Sequence, residues 1–292
     1  MKYLITGKNG QLGSALSKIL RERKEDFSAV DIEDCDLSVR DAAEDFFGEL
    51  DLPRFIINCA AYTDVEKAEE EPGRAYSVNS EAVKNLVEIS RGTKAKLIHI
   101  STDYVFDGNI PEGTCYDEYD KPDPLNEYGK SKLEGEKHIL GLGENGLVVR
   151  TSWLYGRGGA LSFIEKISER LLSGDKVNVV NDQTGALTCA DDLANAVLSV
   201  GEDFSGILHY TNSGDVSWYD IAVFVSEILG AKAGSVIPVI TESLGSKAKR
   251  PKRSRLCINR ISDIDPDLIK PWKDSLIKFI ECHILNRTAE EK

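Results

Sequence analysis

The chain has 292 residues, of which 41% are hydrophobic, and a formal net charge of −13 at pH 7. A chain of this length buries a sizeable apolar core and fits one α/β domain with a smaller appendage. The acidic balance argues against a general affinity for nucleic acid or for an anionic membrane surface. The chain is long enough to be an enzyme.

The N-terminus combines a short apolar strand, Tyr3–Thr6, with a glycine-rich turn and a helix. The turn holds Gly7, Gly10 and Gly13 in the spacing Gly-x-x-Gly-x-x-Gly, which departs by one residue from the dinucleotide fingerprint. We expect Gly7 to turn the chain, Gly10 to let the backbone approach a pyrophosphate, and Gly13 to let the helix pack on the strand. This segment predicts a dinucleotide-binding unit.

The second predicted strand, residues 28–31, ends in an acid about twenty residues beyond the glycines, where a Rossmann unit binds the adenosine ribose. Asp31 should accept the ribose hydroxyls and repel a 2′-phosphate, which favours NADH. Lys8 lies within the glycine turn and would partly offset that repulsion, so NADPH stays open. An ordinary turn acid is the alternative interpretation of Asp31.

Strands and helices alternate along the first half of the chain, which predicts a parallel sheet. The remaining predicted strands are residues 55–59, 96–101, 146–150 and a late 207–210, with later helices at 163–172 and 218–229. We expect a Rossmann-type doubly wound α/β fold with a smaller C-terminal substrate-binding domain. Residues 1–150 would form the dinucleotide-binding domain, and residues 151–292 would form mainly the substrate-binding region. The two would be interleaved along the chain, because segments near 177–230 partly return to the dinucleotide-binding domain. The polar tail, residues 286–292, is expected to fray.

The ends of the middle strands carry chemically rich residues, and ligands bind beyond such ends in open parallel sheets. The positions are Ala60, Ala61 and Tyr62 after the third strand, Thr102 and Asp103 after the fourth, and Trp153 after the fifth. Small residues would admit a flat cofactor, and an aromatic ring suits a sugar. Each alone is compatible with turn chemistry, but three at one edge of a sheet predict a site.

Tyr128 and Lys132 are four residues apart, so a helix would place them on the same face. A tyrosine delivers a proton near neutral pH only if a neighbouring cation stabilises its phenolate, and Lys132 is such a cation. A solvated helix face is the alternative for the pair alone.

The six cysteines show no metal-binding or scaffold spacing. We interpret Cys35, Cys59, Cys115, Cys189, Cys257 and Cys282 as reduced thiols. No apolar stretch approaches the roughly 18 residues that span a bilayer, so no membrane association and a cytoplasmic location are expected. The four histidines share no metal-ligand spacing, and we interpret His99, in an apolar strand, as a packed residue.

Eight stretches together resemble the extended short-chain dehydrogenase/reductase family over nearly the whole chain. They are residues 7–13, 60–63, 78–79, 101–108, 128–132, 150–156, 181–185 and 248–251. Within the family the chain is similar to members that reduce dTDP-linked 4-keto-6-deoxy sugars. The resemblance implies NADH- or NADPH-dependent reduction of the C4 ketone of a nucleotide-linked 6-deoxy sugar, with Tyr128 as the proton donor.

The resemblance also implies roles for single residues. Catalysis would fall to Thr102, Tyr128 and Lys132, of which Lys132 would lower the tyrosine pKa and bind the nicotinamide ribose. Cofactor binding or support of the site would involve Gly7, Gly10, Gln11, Leu12, Gly13, Asp31, Asp36, Leu37, Ala60, Ala61, Tyr62, Asn79, Tyr128 and Lys132. The sugar would contact Thr102, Asp103, Tyr128 and Trp153, and Arg250 would clamp the diphosphate.

Several alternatives remain open. Dehydratases of the family carry Asp-Glu after the threonine, whereas Tyr104 follows Asp103 here, which favours simple reduction. An epimerase uses the same tyrosine and lysine, and a non-catalytic dinucleotide-binding regulatory subunit would keep the fold. The basic run at 246–255 is interpreted as substrate-binding rather than nucleic-acid-binding, although Arg253 stands where the family more often has asparagine. A homodimer stays open, as does a magnesium ion at its interface, but no carboxylate cluster indicates one.

Overall fold

The computed structural model describes residues 1–286, and apart from residue 286 the tail expected to fray lies outside them. The strands are β1 (Tyr3–Thr6), β2 (Phe27–Val30), β3 (Phe55–Asn58), β4 (Lys96–Thr102), β5 (Gly146–Thr151), β6 (Leu154–Tyr155), β7 (Val177–Val180), β8 (Thr184–Gly185), β9 (Thr188–Cys189), β10 (Gly206–His209), β11 (Val216–Ser217) and β12 (Val236–Val239).

The helices surround these strands. They are α1 (Gln11–Glu22), α2 (Arg40–Gly48), α3 (Val65–Glu70), α4 (Pro72–Tyr76), α5 (Ala82–Thr93), α6 (Glu127–Leu140), α7 (Phe163–Leu172), α8 (Ala190–Val200), α9 (Trp218–Ile228), α10 (Asn259–Ile264) and α11 (Trp272–Ile280). A π-helical turn, Ser77–Glu81, joins α4 to α5.

A parallel sheet in the order β2-β1-β3-β4-β5-β10 forms the centre of the molecule. Tyr3 pairs with Phe27 on one side and with Phe55 on the other, so β2 and β3 lie on opposite sides of β1 and the strand order reverses there. A reversal of this kind opens a crevice at the carboxyl ends of the strands. The predicted doubly wound parallel sheet is confirmed, including the late strand that joins it beside β5.

Helices cover both faces of the sheet because its strands are apolar on both sides. On one face, Leu16 of α1 and Leu193 of α8 pack in a buried cluster with Ile5 of β1. On the other, Phe47 of α2 and Leu86 of α5 belong to a second buried cluster.

A third apolar cluster lies in the second half of the chain. It is built from α7, α9 and α11 around β7 and β12, with Ile164, Ile221 and Leu276 fully buried. Short pairings, β6 with β9 and β8 with β11, join this part to the carboxyl edge of the main sheet.

A disulfide joins Cys115 to Cys257, with 5.2 Å between their Cα atoms. The prediction that all six cysteines are reduced is therefore wrong for this pair. Residues 114–116 and 255–257 run side by side: the Tyr116 N–H donates to the Arg255 carbonyl at 2.9 Å, and the Cys257 N–H donates to the Tyr116 carbonyl at 2.7 Å. The partners are 142 residues apart, so only the tertiary pairing brings them within disulfide range. Cys35, Cys59, Cys189 and Cys282 are free thiols.

Replacing Cys115 and Cys257 together by serine should lower the free energy of unfolding by about 2–4 kcal/mol, because the crosslink restricts a long loop of the unfolded chain. Urea unfolding measures the change. Wild type with a reductant should match the variant, and replacing the exposed Cys282 should have no effect. Thiol titration of the oxidised protein under denaturing conditions should count the two bridged cysteines as unreactive; reaction of all six would contradict the crosslink.

Candidate active site

The glycine turn lies at the carboxyl end of β1, and its three glycines have different structural roles. Gly7 has φ +73°, in the left-handed region, and a Cβ there would come within 2.7 Å of the Ala60 backbone nitrogen. A Cβ on Gly13 would lie 2.1 Å from the Gly7 carbonyl oxygen. At Gly10 a Cβ would meet only that same oxygen, at 3.3 Å. Gly7 and Gly13 thus permit tight packing, and Gly10 leaves the backbone open in front of α1.

Helix α1 begins at Gln11 and has no acidic residue in its first turn, so its free N–H groups can receive an anion. Leu12 is buried beneath this turn. The geometry fits the pyrophosphate of a dinucleotide.

The carboxylate of Asp31 directly follows β2 and faces the glycine turn. It accepts hydrogen bonds from the backbone N–H groups of Asn9 and Ile32, both at 2.9 Å. Lys8 forms an ion pair with Asp34, and Asn9 binds Glu33 at 2.6 Å. This end of the cleft is therefore acidic, and Lys8 is already paired.

Asp36 and Leu37 follow in the same loop, but the structure uses them mainly to shape it. One Asp36 oxygen accepts from the backbone N–H and the hydroxyl of Ser38, at 3.0 and 2.7 Å. Leu37 is buried in the core, and its carbonyl accepts from Asn85 at 2.9 Å.

The segment after β3 is fixed by two buried asparagines. Asn58 accepts the Ala60 N–H at 3.2 Å. Asn79 bonds both backbone groups of Tyr62, at 2.9 and 3.0 Å, and donates to the Ser131 hydroxyl of α6 at 3.0 Å. Asn79 thus ties residues 60–62 to the helix that carries Tyr128.

Helix α6 lies unusually close to its neighbours because of two glycines. A Cβ on Gly129 would be 2.2 Å from the Tyr104 carbonyl oxygen, and one on Gly135 would be 2.3 Å from the Asn79 carbonyl oxygen. Asn126 caps the helix by accepting the Gly129 N–H at 2.8 Å, and it donates to the Lys249 carbonyl at 2.8 Å.

A buried ion pair anchors the same helix to the sheet. Glu136 accepts from the Arg150 guanidinium of β5 at 2.7 and 2.9 Å, and from the Ser101 hydroxyl of β4 at 2.5 Å. Both charged side chains are only 1% exposed, so these hydrogen bonds leave little freedom in the position of α6.

Tyr128 faces the carboxyl end of β4. Its surroundings of protein atoms raise its pKa to about 12; a hydrogen bond with Thr102 acts in the opposite direction, and the charge of Asp103 adds to the rise. The ring packs edge-on against Tyr104, with centroids 5.8 Å apart. Tyr128 is thus a phenol with its hydroxyl beside Thr102.

Lys132 is buried one helical turn beyond Tyr128. Its ammonium donates to the Ile100 carbonyl at 2.6 Å and lies 3.2 Å from Nε2 of His99. Burial lowers the pKa of Lys132 to about 8, while the charges of Glu136 and Cys59 act to raise it.

Asp103 is 1% exposed, and burial raises its pKa to about 7 against the opposing hydrogen bonds of Ser254 and Thr102. Arg250 lies on the same side, where it pairs with Glu66 of α3 at 2.6 Å and hydrogen-bonds Tyr104. The structure therefore brings Arg250 to the site with Glu66 balancing its charge.

Trp153 follows β5 with φ +47°, a left-handed conformation that is costly for a bulky residue. It stacks on Trp218 with ring centroids 3.9 Å apart, and a Cβ on Gly185 would come within 3.0 Å of its ring. Gly185 also lies beside Ser254, the hydrogen-bond partner of Asp103. Gly185 thus lies between the indole and the Ser254 that binds Asp103.

Sequence reasoning missed four residues that shape the site: Asn126, Glu66, Ser254 and Trp218. Asn126 carries a detectable signal, because asparagine before a periodic segment is typical of a helix N-cap. The others act on partners far away in the chain and leave no local pattern.

In the part of the chain that the structure describes, no helix is both long and apolar enough to cross a membrane. Within residues 1–286 there is also no grouping of three His, Cys, Asp or Glu side chains suited to a metal ion.

Comparisons with known proteins agree with this geometry. A dTDP-4-dehydrorhamnose reductase of Sinorhizobium fredii is 35% identical, over 98% of both chains. Crystal structures of such reductases from Clostridium acetobutylicum and from Bacillus anthracis, the latter in complex with NADP, both superpose with a TM-score of 0.89. They are 40% and 36% identical and cover 97% and 96% of this chain and 99% of their own.

The model of the RmlD substrate binding domain family matches residues 1–284. With a match of this extent, and relatives of this similarity over nearly their full lengths, the chain belongs to the RmlD substrate binding domain family.

Proposed function

We propose that this protein reduces the C4 ketone of dTDP-4-dehydro-L-rhamnose to give dTDP-L-rhamnose. The observation that carries the proposal is that α6 places Tyr128 in a hydrogen bond with Thr102 and Lys132 in a hydrogen bond with the Ile100 carbonyl, both at the carboxyl end of β4. The relatives named above support the choice of substrate.

The reduced dinucleotide, when bound, supplies the hydride to C4 of the sugar. Tyr128 donates its phenolic proton to the carbonyl oxygen, which becomes the new hydroxyl. Thr102 holds that oxygen near Tyr128, and the Lys132 ammonium stabilises the phenolate that remains. Because the surroundings of Tyr128 hold its pKa high in this structure, a nearby positive charge is needed to make the transfer favourable.

Substrate selection rests with the groups around Asp103. This carboxyl, with its raised pKa, offers a hydrogen bond to a sugar hydroxyl, and Trp153 offers an apolar surface to the ring. Arg250 binds the diphosphate, with Glu66 holding the guanidinium in place.

Tyr104 favours reduction over dehydration, because its position in a dehydratase carries a second carboxyl group. A regulatory subunit that only binds a dinucleotide has no chemical use for Thr102, Tyr128 and Lys132 together. An epimerase remains the competing enzyme, and it would release no oxidised cofactor.

Replacing Tyr128 by phenylalanine should lower kcat by about 10² to 10⁴ while cofactor affinity stays close to wild type, since only the proton donor is lost. Loss of nicotinamide absorbance with dTDP-4-dehydro-L-rhamnose measures turnover, and fluorescence titration measures cofactor binding. Tyr155→Phe removes a hydroxyl from a tyrosine buried in the third apolar cluster and should leave kcat unchanged. Full activity in Tyr128→Phe would eliminate the assigned role.

The acidic end of the cleft supports NADH as the preferred cofactor, because Asp31, Glu33 and Asp34 would repel a 2′-phosphate and Lys8 is paired. Asp31→Asn keeps an acceptor for the Asn9 N–H and should reduce the NADH preference, measured as the ratio of kcat/KM values, about tenfold. Glu33→Gln is the control and should change the ratio less. A wild-type preference for NADPH would overturn the assignment without touching the reductase proposal.

A further inference from the structure

A chain of hydrogen bonds beneath the site determines which nitrogen of His99 carries the proton. The backbone N–H of Ala60 is always a donor and lies 3.2 Å from Oδ1 of Asn58, so this atom is the amide oxygen. The Thr6 hydroxyl donates to the same oxygen at 2.6 Å. The amide nitrogen of Asn58 therefore faces His99.

That nitrogen lies 2.9 Å from Nδ1 of His99. Because an amide NH₂ can only donate, Nδ1 must accept and carries no proton. His99 is fully buried, and burial lowers its pKa well below the usual value, so the ring is neutral. A neutral ring without a proton on Nδ1 carries it on Nε2.

Nε2 of His99 lies 3.2 Å from the Lys132 nitrogen. An Nε2–H group and an ammonium are both donors and oppose each other at this distance. An uncharged lysine resolves the conflict, since its lone pair accepts from Nε2–H while one of its own hydrogens still donates to the Ile100 carbonyl at 2.6 Å.

We propose that His99 is a positioning residue that stabilises the uncharged form of Lys132 through its Nε2–H and so sets the pH at which this lysine loses its charge. The other titratable groups around Lys132 are Tyr128 and Glu136 on its own helix and the Cys59 thiol after β3. Glu136 is held by Arg150 and Ser101, which leaves His99 as the neighbour whose hydrogen bond opposes the ammonium.

The functional significance of this role of His99 rests on the proposed reaction. Because the pKa of Lys132 is lowered to about 8, its side chain is charged below this pH and neutral above it. The lysine can then stabilise the Tyr128 phenolate near neutral pH and release a proton readily to it after the transfer. Activity should fall as the pH rises through this value.

The first test reads the proton positions directly and needs no turnover. In protein labelled with ¹⁵N-histidine, the His99 signals are assigned by their loss in His99→Gln. The expected spectrum shows a bare Nδ1 and a protonated Nε2 across the neutral pH range; a protonated Nδ1 overturns the proposal.

The second test follows Lys132 by ¹³C signals of its Cε, assigned by their loss in Lys132→Arg. In His99→Gln the amide oxygen can face the lysine, so the titration midpoint should rise by about one pH unit. His283→Gln removes a histidine that packs against Phe279 of α11 and should leave the midpoint unchanged. An unmoved midpoint in His99→Gln overturns the inference.

The basic limb of the kcat/KM profile should move upward with the same variant if the reductase proposal holds. Absence of turnover with the expected spectra would reject the proposed reaction and keep the role of His99, so the two failures are distinguishable.

Discussion

The docking of α6 on β4 and β5 is the constraint on which the rest of the site depends. Gly129 and Gly135 let the helix approach the Tyr104 and Asn79 carbonyls more closely than any side chain would allow, and the Glu136 to Arg150 pair fixes the helix to the sheet with both charges buried. Removing one partner of such a pair typically costs about 3–5 kcal/mol, because the other charge stays buried and unpaired. The docking of α6 therefore determines the positions of Tyr128 and Lys132.

Withdrawal from water then gives the site its chemistry. It raises the pKa of Asp103 to about 7 and lowers that of Lys132 to about 8, so both groups titrate near neutral pH, far from their behaviour on a surface. Groups with pKa values displaced in this way cluster at functional sites. Burial likewise lowers the pKa of His99, which is hydrogen-bonded beneath Lys132.

The segment at 247–257 completes the pocket from the far end of the chain. Glu66 accepts the backbone N–H of Lys247 at 2.9 Å and pairs with Arg250. Ser254 then reaches Asp103, and the disulfide at Cys257 ties the segment to residues 114–116. The residues proposed to bind substrate and those proposed to perform the chemistry therefore share one continuous framework.

The sequence alone determined the parallel fold, the glycine turn and the shared face of Tyr128 and Lys132, because these follow from backbone conformation and from the period of a helix or strand. Only the tertiary structure decided that Cys115 meets Cys257, that Glu66 holds Arg250, and that His99 lies against Lys132. Each of these contacts joins segments that are distant along the chain, and packing of the whole core, rather than any local preference, selects which distant segments meet.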